Sequence, residues 1–169
     1  MNAPAAELAP ASAAPAKKVL VLGLGNDILG DDAVGLNIAR EIRKRLSASD
    51  PMEVRETCEM GLSLLDDIVG FEELVLLDAV QTGRAPPGFV HEFEGAELRV
   101  LPSGSPHFLG VGEVLALGRR LGLSVPQRVK IFAVEVQDPF TVTTSMTAPL
   151  RQAFPAIVEH IWCATRQLL

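Results

Sequence analysis

The chain has 169 residues, of which 48% are hydrophobic and 21% are charged, so it is long enough to bury one sizeable core. Its formal net charge of −6 disfavours nucleic acids and anionic membranes as partners, because no cluster of Lys and Arg offsets the acidic balance. The two cysteines are too few for a disulfide framework and are typical of a reducing compartment. These properties indicate one globular domain.

The first 16 residues consist mostly of Ala and Pro and lack the basic and apolar stretches of a secretory signal. We expect them to be a disordered tail that precedes a single α/β domain over residues 17–169. No apolar run approaches the ~20 residues that a membrane-spanning helix needs. We therefore expect a cytoplasmic protein without a membrane partner, and a monomer, since no helix has an obviously exposed apolar face.

Beyond the tail, strand-like apolar runs alternate with segments of helical periodicity. This alternation predicts a three-layer α/β sandwich, with about five mostly parallel strands in the sheet and helices on both of its faces. The edge strand at 89–93 has a pattern that also allows an antiparallel direction. The predicted strands span residues 18–22, 52–57, 74–77, 89–93 and 129–136, and the predicted helices span residues 32–46, 60–69, 109–121 and 148–166.

The segment that joins the first strand to the first helix is rich in glycine and aspartate. Residues 23–35 read Gly-Leu-Gly-Asn-Asp-Ile-Leu-Gly-Asp-Asp-Ala-Val-Gly. A dinucleotide loop would need a third glycine at position 28, which is Ile28. Asp27, Asp31 and Asp32 surround the start of the helix, where their carboxylates would repel a phosphate. The segment therefore favours a cation over a nucleotide.

Other polar residues are expected at the same edge of the sheet, because ligands of such folds gather at the carboxyl ends of the strands. Asp31 and Asp32 follow the first strand, Asp78 closes the third strand, and His107 lies in a loop that leads into a helix. Two carboxylates and one imidazole form a plausible ligand set for a divalent transition metal, with positions left for water or substrate.

Each of these residues also has a structural interpretation. Asp31 is well placed to cap the helix that follows, and Asp32 to interact with the helix dipole. His107 is compatible with a loop or core histidine. Asp78 is harder to explain structurally, because an ionised carboxylate at the end of an apolar central strand is costly unless it is paired. Glu59 extends the same edge and is a candidate base or a hydrogen-bond partner of a metal ligand.

Three motifs together resemble the hydrogenase maturation endopeptidases of nickel–iron hydrogenases. They are Gly23-x-Gly25-Asn26-x-x-x-x-Asp31-Asp32-x-x-Gly35, Leu76-Leu77-Asp78-Ala79 and Ser105-Pro106-His107-x-x-Gly110. The resemblance covers nearly all of the chain after the tail. It implies a protease that removes a short C-terminal extension from the hydrogenase large-subunit precursor after nickel insertion.

The resemblance also implies roles for individual residues. Asp32, Asp78 and His107 would contact nickel carried by the substrate, so that they report whether the precursor is metallated. Gly25 and Asn26 would shape the loop. We expect Asp31, Asp32 and Asp78 to be the catalytic group, with Asp31 or Asp32 orienting water, because no Ser–His–Asp or Cys–His pattern is present. Whether the enzyme also holds a catalytic metal of its own is left open by the sequence.

One motif departs from the family. Many members have a Gly-Gly-Thr-x-Gly stretch after the second strand, where this chain has Thr57-Cys58-Glu59-Met60-Gly61. The loss of glycines restricts the backbone there and Glu59 adds a negative charge, so the loop is expected to approach the substrate differently. Two other functions also fit the pattern: a chaperone that binds the nickel centre without cutting, and a nucleoside phosphorylase or hydrolase on a similar sheet.

Overall fold

The computed structural model describes residues 19–94 and 111–168. The predicted tail at residues 1–16 therefore lies outside the described residues. Within the described part of the chain, the five strands are β1 (Val19–Leu24), β2 (Met52–Thr57), β3 (Glu73–Val80), β4 (Val90–Glu94) and β5 (Arg128–Glu135).

The strands form one mixed sheet in the order β2-β1-β3-β5-β4. All neighbouring pairs are parallel except β4 and β5, which are antiparallel. Two of the three inner strands, β1 and β3, are buried along their whole length, as expected of strands covered on both faces. The predicted fold class is confirmed, including the antiparallel edge strand.

Helices cover both faces of this sheet. A 3₁₀ turn at Gly61–Ser63 precedes the short second helix. On one face, α1 and α4 pack over a core that includes Val75, Leu77 and Phe132. On the other face, α2 and α3 pack over a core that includes Leu22 and Leu76. The helices are α1 (Val34–Arg45), α2 (Leu64–Ile68), α3 (Val111–Arg120) and α4 (Ala148–Arg166).

Helix α1 is amphipathic in the way its sequence predicts. Val34, Ile38 and Ile42 are buried against the sheet, which fits apolar residues repeated every three to four positions. The helix begins two residues later than predicted, so Asp32 belongs to the loop before it. That loop lies at the carboxyl end of β1.

No helix among residues 19–94 and 111–168 combines the length and the hydropathy needed to cross a lipid bilayer.

Candidate active site

The loop between β1 and α1 is held in shape by Gly25 and Asn26. Gly25 has a φ of 145°, a conformation that favours glycine, and a Cβ at this position would lie 2.2 Å from the carbonyl oxygen of Asp32. The side chain of Asn26 accepts a hydrogen bond of 3.2 Å from the backbone N–H of Ile28, which forms a local turn. The loop therefore folds back closely on Asp32.

The first turn of α1 lies directly against the carboxyl ends of two central strands. A Cβ on Gly35 would lie 2.3 Å from the carbonyl oxygen of Leu77 and 2.4 Å from that of Leu24. Only a glycine permits this approach of helix to sheet. Since Asp32 lies just before this turn and Asp78 follows Leu77, the contact brings both aspartates to the same sheet edge.

Both aspartates of this edge are largely removed from solvent. Asp78 is 0% exposed and Asp32 is 8% exposed. One oxygen of Asp78 accepts a hydrogen bond of 2.8 Å from the backbone N–H of Ala79. Two carboxylates at this edge add negative charge, which favours a cation over an anion as its ligand.

Asp78 lies within β3, whereas the sequence predicts that it closes the strand. The strand continues to Val80, which pairs with Glu135 of β5. Because side chains alternate along a strand, Asp78 points to the face of Leu76 and Val80, which is covered by α2 and α3.

Asp31 holds a distant loop in place, and its predicted role as the cap of α1 is wrong. The residue before the helix is Ala33, with no side-chain capping bond. One oxygen of the buried Asp31 accepts bonds from the backbone N–H groups of Gln137 and Asp138, at 3.2 and 3.1 Å. Thr147 donates its N–H to the other oxygen at 2.7 Å and its hydroxyl to the first at 2.9 Å. The carboxylate thus anchors both ends of the loop that follows β5.

His107, the third predicted metal contact, lies outside the described residues. Among the residues that are described, no three His, Cys, Asp or Glu side chains converge in a way that would hold a metal ion. Asp32 and Asp78 are thus the two members of the predicted set that the structure places.

Glu59 is exposed after β2, and its backbone N–H donates to the hydroxyl of Thr57 at 3.0 Å. β2 is the outermost strand on its side of the sheet, separated from β3 by β1. Glu59 therefore lies at the carboxyl edge as predicted, but on a strand that is not adjacent to the strand of Asp78.

The acidic character of the β1–α1 loop is partly neutralised by α1. Two nitrogens of Arg40 donate to the two carboxylate oxygens of Asp27 at 2.8 and 2.7 Å. These bonds hold the pKa of Asp27 below its usual range. Arg40 also donates to Glu56 at 2.6 Å. Of the three loop aspartates, Asp27 is thus paired with an arginine, and both oxygens of Asp31 accept hydrogen bonds from residues 137–147.

Sequence reasoning missed a further buried acid at this edge, Glu135. Glu135 accepts hydrogen bonds from the N–H groups of Thr82 and Gly83 at 2.7 and 2.8 Å, and from the hydroxyl of Thr82 at 2.7 Å. It also contacts Nε2 of His91 at 2.9 Å. Burial by itself would raise the pKa of Glu135, but the hydrogen bonds outweigh it and the pKa is lowered.

His91 occupies a fixed position on β4 next to the candidate site. Its ring contacts Phe89 edge-on at 4.9 Å and stacks on Phe93 at 6.3 Å. His91 and Asp78 both pair with Ala133, so they flank this small residue on the same face of the sheet. Their Cα atoms are about 10 Å apart if each strand spacing is near 4.8 Å. Neither His91 nor Glu135 belongs to a motif that the sequence displays.

Comparison with known proteins identifies the family. A family model described as hydrogenase maturation protease matches residues 36–164. The hydrogenase 2 maturation protease of Escherichia coli K12 is 26% identical over 152 residues, which cover 89% of this chain and 92% of that protein. The hydrogenase expression/formation protein HupD of Thiocapsa roseopersicina is 31% identical over 145 residues, covering 84% of this chain and 65% of the relative.

The fold agrees with these matches. The hydrogenase-maturating endopeptidase HybD of Escherichia coli superposes with a TM-score of 0.71 at 24% identity, covering 89% of this chain and 93% of that chain. The family model extends over more than half of the sequence, from the first turns of α1 to the end of α4. The chain therefore belongs to the hydrogenase maturation protease family and is an endopeptidase.

Proposed function

We propose that this endopeptidase removes the C-terminal extension from the large-subunit precursor of a nickel–iron hydrogenase after nickel has been inserted. The observation that supports the proposal is that two buried carboxylates, Asp32 and Asp78, lie toward the carboxyl edge of the neighbouring strands β1 and β3. The relatives named above are hydrogenase maturation proteins, which supports a hydrogenase precursor as the substrate.

In this proposal, Asp32, Asp78 and His107 contact the nickel ion that the precursor carries. Carboxylate and imidazole ligands suit a divalent ion such as nickel. The ion would also compensate the negative charge of the buried carboxylates, so a precursor without nickel is expected to bind less well. Recognition of nickel would thus delay cleavage until the metal centre has been assembled.

The cleavage step needs a group that orients a water molecule toward the scissile carbonyl. Of the two candidates that the sequence offers, we assign this role to Asp32, because it is 8% exposed whereas Asp31 is 1% exposed and anchors the loop over residues 137–147. The water oxygen bonds to the carbonyl carbon, the C–N bond breaks, and the water proton passes by way of the carboxylate to the leaving amine. Asp78, on β3, helps to hold the nickel-bearing precursor in the orientation that this attack requires.

We place this reaction in the cytoplasm and assign it to a monomer. Cys58 and Cys163 are both exposed free thiols, a condition that fits a reducing compartment. The substrate would be one precursor polypeptide at a time.

The experiment that tests the proposal compares nickel-loaded and nickel-free precursor incubated with the purified enzyme. Intact mass spectrometry should show loss of the C-terminal extension only from the nickel-loaded precursor. Equal cleavage of both forms would contradict nickel recognition. Binding of the loaded precursor without any loss of mass would instead indicate a chaperone.

A further inference from the structure

Two loops at the edge that holds Asp32 and Asp78 join to form one surface. Leu29 and Val142 form an antiparallel bridge. The N–H of Gly30 donates to the carbonyl of Thr141 at 3.3 Å, and the N–H of Thr143 donates to the carbonyl of Ile28 at 3.0 Å. The first loop follows β1 and the second follows β5. We call the side chains of Ile28, Phe140 and Val142 on these loops the paired-loop surface.

The paired-loop surface exposes large apolar side chains to solvent. Ile28 is 58% exposed, Phe140 is 76% exposed and Val142 is 74% exposed. Single exposed apolar residues are common, but three large ones on two bridged loops are typical of a binding surface. Their place beside a protease site points to a polypeptide partner.

The backbone beneath these side chains is fixed by hydrogen bonds. Asp31 anchors both ends of the second loop, as described above. Within that loop, Asp138 accepts hydrogen bonds from the N–H groups of Phe140 and Thr141, both at 3.1 Å. The hydroxyl of Thr141 also donates to Asp138, at 2.5 Å. This bond, together with the two backbone bonds, holds the pKa of Asp138 below its usual range. Because the loop is already ordered, little conformational entropy is lost when a partner binds.

The charge of the two loops defines the partner further. Segments 25–32 and 137–147 contain four aspartates and neither Lys nor Arg. Arg40 of α1 pairs with one of them, Asp27, and the remaining balance is negative. An apolar centre in such surroundings is complementary to an apolar patch bordered by Lys or Arg.

We propose that the paired-loop surface binds the body of the precursor polypeptide, at an apolar patch bordered by basic residues and outside the segment that is cleaved. This inference rests on the proposed function. The surface lies at the same edge as Asp32 and Asp78, so a polypeptide that delivers a peptide bond to this edge passes over it. A second copy of the enzyme bound there would obstruct that approach.

The test uses the full-length variants Phe140→Ser and Val142→Ser with purified nickel-loaded precursor. Leu121→Ser is the matched control. Leu121 is 62% exposed and follows the end of α3. The turn after it lies at the opposite edge of the sheet, because Ser124 accepts a hydrogen bond there from Gly70, which precedes β3. The measurements are the KM and kcat for cleavage, the Kd for the precursor by calorimetry, and the sedimentation coefficient of each variant.

Phe140→Ser and Val142→Ser should each raise KM and Kd at least about fivefold, as expected when a central apolar contact is removed. Their kcat should stay within about twofold of the wild type, and Leu121→Ser should change none of these values. The inference is overturned if both variants bind the precursor as tightly as the wild type does. If the wild-type enzyme still cleaves the precursor in that case, the proposed function is not affected. A wild-type dimer that dissociates on substitution would assign the surface to a second copy and also overturn it. If the wild type neither binds nor cleaves the precursor, both proposals fail.

Discussion

Gly35 lies so close to Leu77 that a methyl group on Gly35 would come within 2.3 Å of the Leu77 carbonyl oxygen. This contact joins the start of α1 to the central strand that carries Asp78. It also fixes how closely the β1–α1 loop approaches the sheet, and therefore where Asp32 lies. The geometry of the candidate site thus depends on the absence of a side chain at position 35.

Gly35→Ala should therefore destabilise the protein and impair cleavage together. The added methyl would meet backbone oxygens on both β1 and β3, and overpacking of this kind costs about 1–3 kcal/mol. Urea unfolding would measure the free energy of unfolding, and the precursor assay would measure activity.

The matched control for this substitution is Gly112→Ala in α3, where a Cβ would have no neighbour within 4 Å. This variant should be unchanged or up to about 1 kcal/mol more stable, because Ala is a better helix former than Gly. A fully stable and active Gly35→Ala enzyme would show that the close contact does not position the site.

Asp31→Ala should lower the free energy of unfolding by about 2–4 kcal/mol, because several hydrogen bonds to a buried charge are lost and their donors are left without acceptors. Asp66→Ala, at an exposed position of α2, should change it by less than about 1 kcal/mol. Urea titration at neutral pH gives both values. If both substitutions lower the free energy of unfolding equally, the hydrogen bonds of Asp31 do not stabilise the protein more than an exposed aspartate does.

Glu135→Gln should make stability less dependent on pH. Since the pKa of Glu135 is lowered on folding, the ionised carboxylate stabilises the native state at pH values above its ordinary pKa, and this contribution is lost as the pH falls through the folded pKa. The difference in unfolding free energy between wild type and variant should therefore be largest near neutral pH and shrink as the pH falls below 4.5, the ordinary pKa of a glutamate.

The control for Glu135→Gln is Glu92→Gln. Glu92 also contacts a histidine, His160, at 2.8 Å, and it pairs with Lys130 at 2.8 Å, but its side chain is 37% exposed whereas that of Glu135 is 2% exposed. Its contribution should therefore be smaller at every pH, because solvent screens exposed pairs. If the free energies of unfolding of Glu135→Gln and wild type differ by the same amount at every pH, the charged carboxylate does not contribute to stability as proposed.

Cys58→Ser should retain full cleavage activity. A cysteine nucleophile needs a base to activate it. The two histidines of the described residues, His91 and His160, each contact a glutamate. Steady-state rates, and rates after alkylation with iodoacetamide, would measure the effect. Loss of activity in both experiments would indicate a thiol protease.

Much of the fold follows from local sequence patterns. The bounds of β2 agree with the predicted strand at 52–57, and the apolar run in β3 predicts its central place in the sheet. The buried stripe of α1 follows from the helical spacing of Val34, Ile38 and Ile42. These features depend on the spacing of apolar residues within a single strand or helix, which can be read directly from the sequence.

The sequence could not reveal contacts between distant irregular segments. Asp31 precedes a helix, so capping was the natural expectation, yet its hydrogen-bond partners lie more than 100 residues away in a loop without periodicity. The pairing of Glu135 with His91 joins two strands in the same way. Asp78 was expected to end its strand because it is charged, but backbone pairing with β5 extends β3 to Val80.

The most direct measurement is the rate of precursor cleavage, followed by intact mass spectrometry, for Asp32→Asn, Asp78→Asn and His107→Ala with nickel-loaded precursor. Each substitution should reduce the rate about 100-fold or more, as expected when groups that bind the metal or move the proton are removed. Glu59→Gln, on the exposed loop after β2, should stay within about twofold of the wild type. Cleavage at the wild-type rate by any of the three variants would contradict a shared role of these residues in recognising nickel and cleaving the precursor.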